Sequence, residues 1–194
     1  MGRGLYMKID EILEDHKRLV EHGFDSINLG EFQRTADVIV DAIKGRKRIF
    51  TCGNGASAAI AQHWACDYFK GCSKGDLAPQ VYSLSANIPL MTAISNDISY
   101  DEVYSYQIER AGEVGDVLIV ISSSGNSPSV VKAIDSAMKK GMLTVALTGF
   151  NGGACWEKAD FVVHVDIQEY EATEDVHQAV MHMIAKYVRA KLWA

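Results

Sequence analysis

Apolar residues recur every three to four positions in two stretches near the start of the chain. Ile9, Ile12, Leu13, Leu19 and Val20 form the first, and Val38, Ile39, Val40 and Ile43 the second; no proline occurs in the first 46 residues. That spacing puts each set on one face of an α-helix. Two helices are therefore expected over residues 1–46, separated near Gly23-Phe24-Asp25-Ser26, where glycine ends one helix and Asp or Ser caps the next. From Arg48 the rhythm changes to short apolar runs: Ile49-Phe50-Thr51-Cys52, Val81-Tyr82-Ser83-Leu84, Val117-Leu118-Ile119-Val120-Ile121, Thr144-Val145-Ala146-Leu147 and Phe161-Val162-Val163. Each run is followed by a turn signal and then a helical stretch, the pattern of strands buried on both faces of a parallel sheet. Val176, Val180, Met183, Ile184, Tyr187 and Val188 predict a closing helix over about residues 172–192. The predicted architecture is α/β: a three-layer α/β/α sandwich with a five-stranded parallel sheet and an N-terminal helical pair. It forms one domain, 1–194, with helices over 1–46 and an α/β core over 47–194.

Composition narrows the class of protein. With 194 residues, 48% of them hydrophobic and 23% charged, the chain can bury one core of its own. The opening Met1-Gly2-Arg3-Gly4-Leu5-Tyr6 lacks the apolar centre of an export signal, and Tyr6 stands where a myristoylation signal needs Ser or Thr. No run approaches the roughly 20 apolar residues of a membrane span. Cys52, Cys66, Cys72 and Cys155 show neither a CxxC pair nor zinc-finger spacing, which suits reduced thiols in a cytoplasmic protein. The net charge of -6 argues against nucleic acid as a partner. A small phosphate is still compatible with it, provided local hydroxyls, backbone N–H groups and a helix N-terminus hold it.

Ligands of open parallel sheets bind beyond the carboxyl ends of the strands, and two of those places are unusual. Cys52-Gly53-Asn54-Gly55-Ala56-Ser57 leads from the first strand into a helix. It is not a GxGxxG fingerprint and no P-loop lysine follows, so no nucleotide cofactor is expected. Ser122-Ser123-Ser124-Gly125-Asn126-Ser127-Pro128 follows the third strand. Its four serine hydroxyls at a helix start make a neutral cradle for a phosphate dianion. On the helix after the first loop, His63 and Asp67 are spaced i, i+4 and share a face, a spacing that suits a metal pair, an acid–base pair or a plain surface hydrogen bond. On the last helix Glu174, Gln178 and His182 follow one another at the same step, whereas His177 points away from His182, so at most one of the two histidines faces the site. Glu174 and His182 on one straight helix stand roughly 12 Å apart along its axis.

The run from Cys52 to Ala59, then Gln62-His63, Leu90-Met91-Thr92-Ala93-Ile94-Ser95-Asn96-Asp97, Gly115-Asp116-Val117, Ile121 to Ser127 and Leu147-Thr148-Gly149 resembles the phosphoheptose isomerase branch of the SIS (sugar isomerase) domain superfamily, over about residues 30–190. The resemblance implies a flavodoxin-like fold, a homotetramer and aldose–ketose isomerisation of sedoheptulose 7-phosphate to D-glycero-D-manno-heptose 7-phosphate through an enediol. It implies Asn54, Ser57, Ser122, Ser123, Ser124 and Ser127 as phosphate and substrate contacts, with Asp97 on sugar hydroxyls. It also implies Asp67 and His182 as the acid–base pair, with His177 left at the surface or an interface, and one Zn2+ per subunit; the candidate metal ligands are His63, Asp67 and His182, to which Glu174 adds an anionic fourth. Two positions depart from the family pattern. Asp67 replaces a glutamate, and Ala172-Thr173-Glu174 stands where Arg-Ile-Gln is usual, which removes a cation and adds Glu174, also a candidate substrate contact. These departures leave two other readings open: an isomerase of another sugar phosphate, and a noncatalytic SIS module that binds a sugar phosphate or docks a protein such as a replication initiator.

Overall fold

The computed structural model describes residues 8–193, so the opening hexapeptide read above for export and lipid signals lies outside the described residues. Five strands pair in parallel: β1 (Arg48–Gly53), β2 (Gln80–Ser83), β3 (Val117–Ser122), β4 (Leu143–Thr148) and β5 (Phe161–His164). Their spatial order is β2-β1-β3-β4-β5. The chain therefore steps outward from β1 to β2, returns to the far side of β1 for β3, and continues away. That reversal separates the connections leaving β1 and β3 to opposite faces and opens a crevice at their carboxyl ends.

The five strands fall on the five apolar runs, extended by a residue or two or shifted by one at β2. The fully apolar runs place side chains on both faces of the sheet. Ile49, Ile119, Ile121 and Leu147 pack with α2 (Leu29–Lys44), α3 (Ala56–Gly71) and α8 (Tyr170–Trp193). Phe50, Leu118, Val120 and Ala146 pack with α4 (Ile88–Asp97), α5 (Ser105–Ala111), α6 (Pro128–Lys139) and α7 (Gly153–Lys158). At the opposite end of the sheet Asp116, almost fully buried, accepts the backbone N–H of Arg48 at 2.9 Å and that of Glu113 at 3.1 Å, and its carboxylate lies 2.7 Å from the Arg48 guanidinium. Buried charge is tolerated here because it is paired and hydrogen-bonded. All four cysteines are free. No helix among the described residues is long and apolar enough to cross a membrane.

The expected break in the N-terminal helices lies elsewhere. Helix α1 runs Ile9–Ser26 straight through Gly23, and the chain turns at Ile27-Asn28, where the Asn28 side chain accepts the Glu31 N–H at 3.0 Å. Gly23 is not a stop but a close approach. A Cβ there would lie 2.5 Å from Ile167 Cδ1 and 3.0 Å from side-chain carbons of Val165 and Val176.

Gly23→Ala tests this packing. In an open helix the change adds about 1 kcal/mol of stability, whereas overpacking a filled site costs about 1–3 kcal/mol. Urea unfolding is expected to show a net loss of about 1 kcal/mol; a net gain would place Gly23 in a looser environment than the one described.

Candidate functional site

The two polar loops meet in the crevice between β1 and β3. The first, Asn54-Gly55, enters α3 with Gly55 at φ +57°. The second joins β3 to α6 through Gly125 at φ +66°, where a Cβ would stand 1.9 Å from the carbonyl oxygen of Gly152, so only glycine fits. This loop is held from behind. Gly149 N–H donates to Ser123 O at 2.8 Å, Cys155 N–H to Gly125 O at 2.9 Å, and Ala154 N–H to Asn126 Oδ1 at 3.0 Å.

The serines are thereby aimed into a pocket of about 240 Å³ that Asn54, Ser57, Ser122, Ser123, Ser124 and Ser127 line together with Tyr170 and Glu174. The hydroxyl of Ser123 is buried without a partner among the described residues, and Ser127, at the start of α6, makes no side-chain cap. Both remain available to a ligand, as do the N–H groups of Ala56 and Ser57 at the start of α3 and of Ser129 in α6, whose first residue, Pro128, has none. Asn54 is fixed in place: its Oδ1 accepts from the hydroxyls of Tyr100 at 2.9 Å and Tyr104 at 3.1 Å, and its Nδ2 donates to Ser129 at 3.0 Å. Those two tyrosines carry no sequence signal, since aromatics at helical spacing read as core.

A second cluster forms where α3 packs on α8. His63 Nε2 lies 3.2 Å from Asp67 Oδ1, and His182 Nε2 lies 3.5 Å from Asp67 Oδ2. One ligand atom from each of His63, Asp67 and His182 falls within 4.8 Å of the others. Gln178 Nε2 bridges the two rings, 2.9 Å from His63 Nδ1 and 3.2 Å from His182 Nε2. Two imidazoles and a carboxylate converging this closely match the donor set of a catalytic zinc, which takes three protein ligands and leaves a position open. Glu174 stands outside this cluster. It lines the serine pocket and also the adjoining groove, shared with His63, Glu171 and Gln178. Burial raises its pKa, and Glu171 and Asp175 raise it further. Asp97 ends α4 in an exposed position, accepts from the Asn96 amide at 2.8 Å, and is not part of the pocket lining.

His177 does not occupy the surface position expected of it. It is fully buried, and neither ring nitrogen has a hydrogen-bond partner. Burial pushes its pKa down to about 4, opposed in part by the nearby Thr148 backbone. The imidazole is neutral at physiological pH. Angular separation from His182 indicated only that the two rings differ in direction; the side of α8 that the sheet covers decides which is buried.

A family model described as the SIS domain matches residues 13–149. The chain is 33% identical to a phosphoheptose isomerase of Synechocystis over 96% of both chains. It is 36% identical to a probable phosphoheptose isomerase of Thermoplasma acidophilum, over 91% of this chain and 99% of that one. Among solved structures, a phosphoheptose isomerase of Neisseria gonorrhoeae superposes with a TM-score of 0.86 at 28% identity, over 94% of this chain and 97% of that one.

The buried His177 sets a pH dependence of stability. The unfolded chain takes up a proton here below about pH 6.5 and the folded chain only near 4, so stability present above 6.5 is lost as pH falls through that window. The contribution is on the order of 3 kcal/mol. His177→Leu is expected to flatten the urea-unfolding stability profile between about pH 6.5 and 4; an unchanged slope would assign the acid sensitivity to other groups.

Proposed function

Because this chain belongs to the SIS domain family, and within it stands with the phosphoheptose isomerases, we propose that it interconverts ketose and aldose phosphates, with sedoheptulose 7-phosphate and D-glycero-D-manno-heptose 7-phosphate as its pair. The carrying observation is the adjacency in one crevice of a hydroxyl-lined pocket and an ionisable cluster, with Glu174 lining both spaces. In this reading the phosphate rests on Ser57, Ser122, Ser123, Ser124 and Ser127, while the carbon chain runs past Glu174 toward Asp67 and His182. Anchoring the remote phosphate brings the reacting carbons into reach of the acid–base groups and converts binding into positioning.

Isomerisation removes a proton from C1 of the ketose and delivers one to C2, while a hydroxyl proton leaves O1 and another arrives at O2, so the atoms balance through a neutral enediol. Asp67 is assigned the carbon proton, and His182, held by Gln178, the transfer between oxygens. The His63–Asp67 contact at 3.2 Å orients the carboxylate. Aspartate is one methylene shorter than the glutamate of the family pattern, yet it still reaches both His63 and His182. If zinc binds at His63, Asp67 and His182, it supplies a Lewis acid for the sugar's carbonyl oxygen.

We further infer a cytoplasmic homotetramer. Ile9, Ile12 and Leu13 on α1 are strongly exposed, an apolar face that association would cover. Asp97, outside the pocket of its own chain, meets sugar hydroxyls in this reading only where a neighbouring subunit presents it.

NMR of sedoheptulose 7-phosphate with the purified protein is expected to show conversion. Asp67→Asn and His182→Gln should each lower kcat by about 10²–10⁴-fold, with inorganic phosphate still bound. Absence of turnover by the unmodified protein, with and without added zinc, refutes the reading. Sedimentation should give four chains per particle; a monomer at micromolar concentration would remove the role assigned to Asp97.

A further inference from the structure

The serine hydroxyls and the Asn54 amide that line the pocket all belong to the two loops leaving β1 and β3, so they approach a ligand from one side. The opposing wall is α8, which contributes Tyr170 and, one turn later, Glu174. Tyr170 stands in the first turn of that helix, about half exposed, and its hydroxyl makes no hydrogen bond among the described residues.

The ring of Tyr170 is braced. It packs against the ring of Phe150, with centroids 4.8 Å apart and planes inclined at 51°. Phe150 is itself held at φ +50°, a left-handed conformation that a bulky residue enters only when its surroundings impose it. Here the Phe150 N–H donates to Ile167 O at 2.9 Å, and the preceding Gly149 N–H donates to Ser123 O at 2.8 Å. A Cβ at Gly149 would lie 2.5 Å from Thr173 Cγ2. The pair Gly149-Phe150 therefore touches both walls of the pocket: its backbone holds the serine loop, and its ring backs the first turn of α8. Strain kept at such a junction points to a positional role.

A phosphate resting on the serines still turns an oxygen toward α8. The phenol hydroxyl of Tyr170 is a donor on that side, and a hydrogen bond to a charged acceptor is stronger than one between neutral groups. A side chain already braced by a second ring loses little freedom in making it. Along α8, Tyr170 lies roughly 18 Å from His182, which keeps it away from the carbons assigned to Asp67 and His182.

We propose that Tyr170 closes the phosphate end of the site: its hydroxyl donates to the ligand's phosphate from the side opposite the serines, and Phe150 is the positioning residue that braces its ring for that contact. This rests on the reading of the serine pocket as the phosphate site and is independent of what the ionisable cluster does.

Calorimetry with the full chain gives dissociation constants for inorganic phosphate and for sedoheptulose 7-phosphate. The variants are Tyr170→Phe, which removes only the hydroxyl, and Phe150→Asn, which removes the bracing ring while suiting a positive φ. Tyr170→Phe is expected to weaken both ligands about tenfold, the loss of one hydrogen bond to a charged group. Phe150→Asn, with the hydroxyl intact, should weaken both about threefold through lost preorganisation. A contact this remote is made equally in the ground and transition states, so in turnover Tyr170→Phe should raise KM about tenfold and leave kcat within about twofold. Unchanged affinity in Tyr170→Phe, or a lowered kcat at unchanged affinity, overturns the proposal and leaves the phosphate site standing. Weaker binding in Tyr170→Phe with none in Phe150→Asn overturns the bracing role. Failure of both ligands to bind the unmodified chain overturns the phosphate reading and the proposal with it.

Discussion

The reversal of strand order between β1 and β3 is the constraint on which the rest of the molecule depends. Neighbouring parallel strands at that point send their connections to opposite faces, so two loops that are almost 70 residues apart in the chain face each other across a gap that no helix fills. The same arrangement sends α3 back along the face that α8 also covers. Trp64 and Tyr68 are buried between the sheet and α8, and the Tyr68 hydroxyl reaches the backbone carbonyl of Met181 at 3.4 Å. That packing sets the axial offset of the two helices, and the offset brings His182 to Asp67 and His63. One topological feature therefore positions the hydroxyl pocket and the ionisable cluster together.

Rigidity of the pocket comes from behind it. Gly125 lies against the Gly152 carbonyl, and the backbone of the Gly149–Cys155 segment donates three hydrogen bonds into the serine loop. A loop fixed in this way has its hydroxyls oriented before a ligand arrives, so little ordering entropy is lost on binding. The electrostatic design is complementary. Neutral donors can hold an anion without a permanent counter-charge, which suits a chain of net charge -6.

Residue types with strong local meaning were legible in the sequence. The five apolar runs announced strands because a strand covered on both faces has no polar alternation to obscure it. The serine cluster announced a hydroxyl-lined pocket because residues just past the carboxyl end of a buried strand face the crevice. His63 and Asp67 shared a face by helical geometry alone. Gly23 misled because one glycine serves equally as a helix stop and as a point of close packing, and Ile167, almost 150 residues later, determines which. His177 misled because helical angle gives direction without saying which direction the sheet covers. Tyr100 and Tyr104 were silent because their partner Asn54 lies on another element, and Gln178, visible only as a member of the polar row with His182, gains its bridging role once α3 meets α8.

The sequence by itself determined the parallel α/β architecture, the hydroxyl-rich loop and the one-turn spacing of His63 and Asp67, since each follows from periodicity and stereochemistry within a few residues. The resemblance grouped His182 with that pair, but only the tertiary structure decided that its ring comes within 3.5 Å of Asp67, that Glu174 stands apart beside the serines, and that His177 is sealed in the core. Those facts depend on the offset and rotation of α8 against α3 and the sheet, which summed side-chain packing over the whole domain fixes and no local pattern encodes.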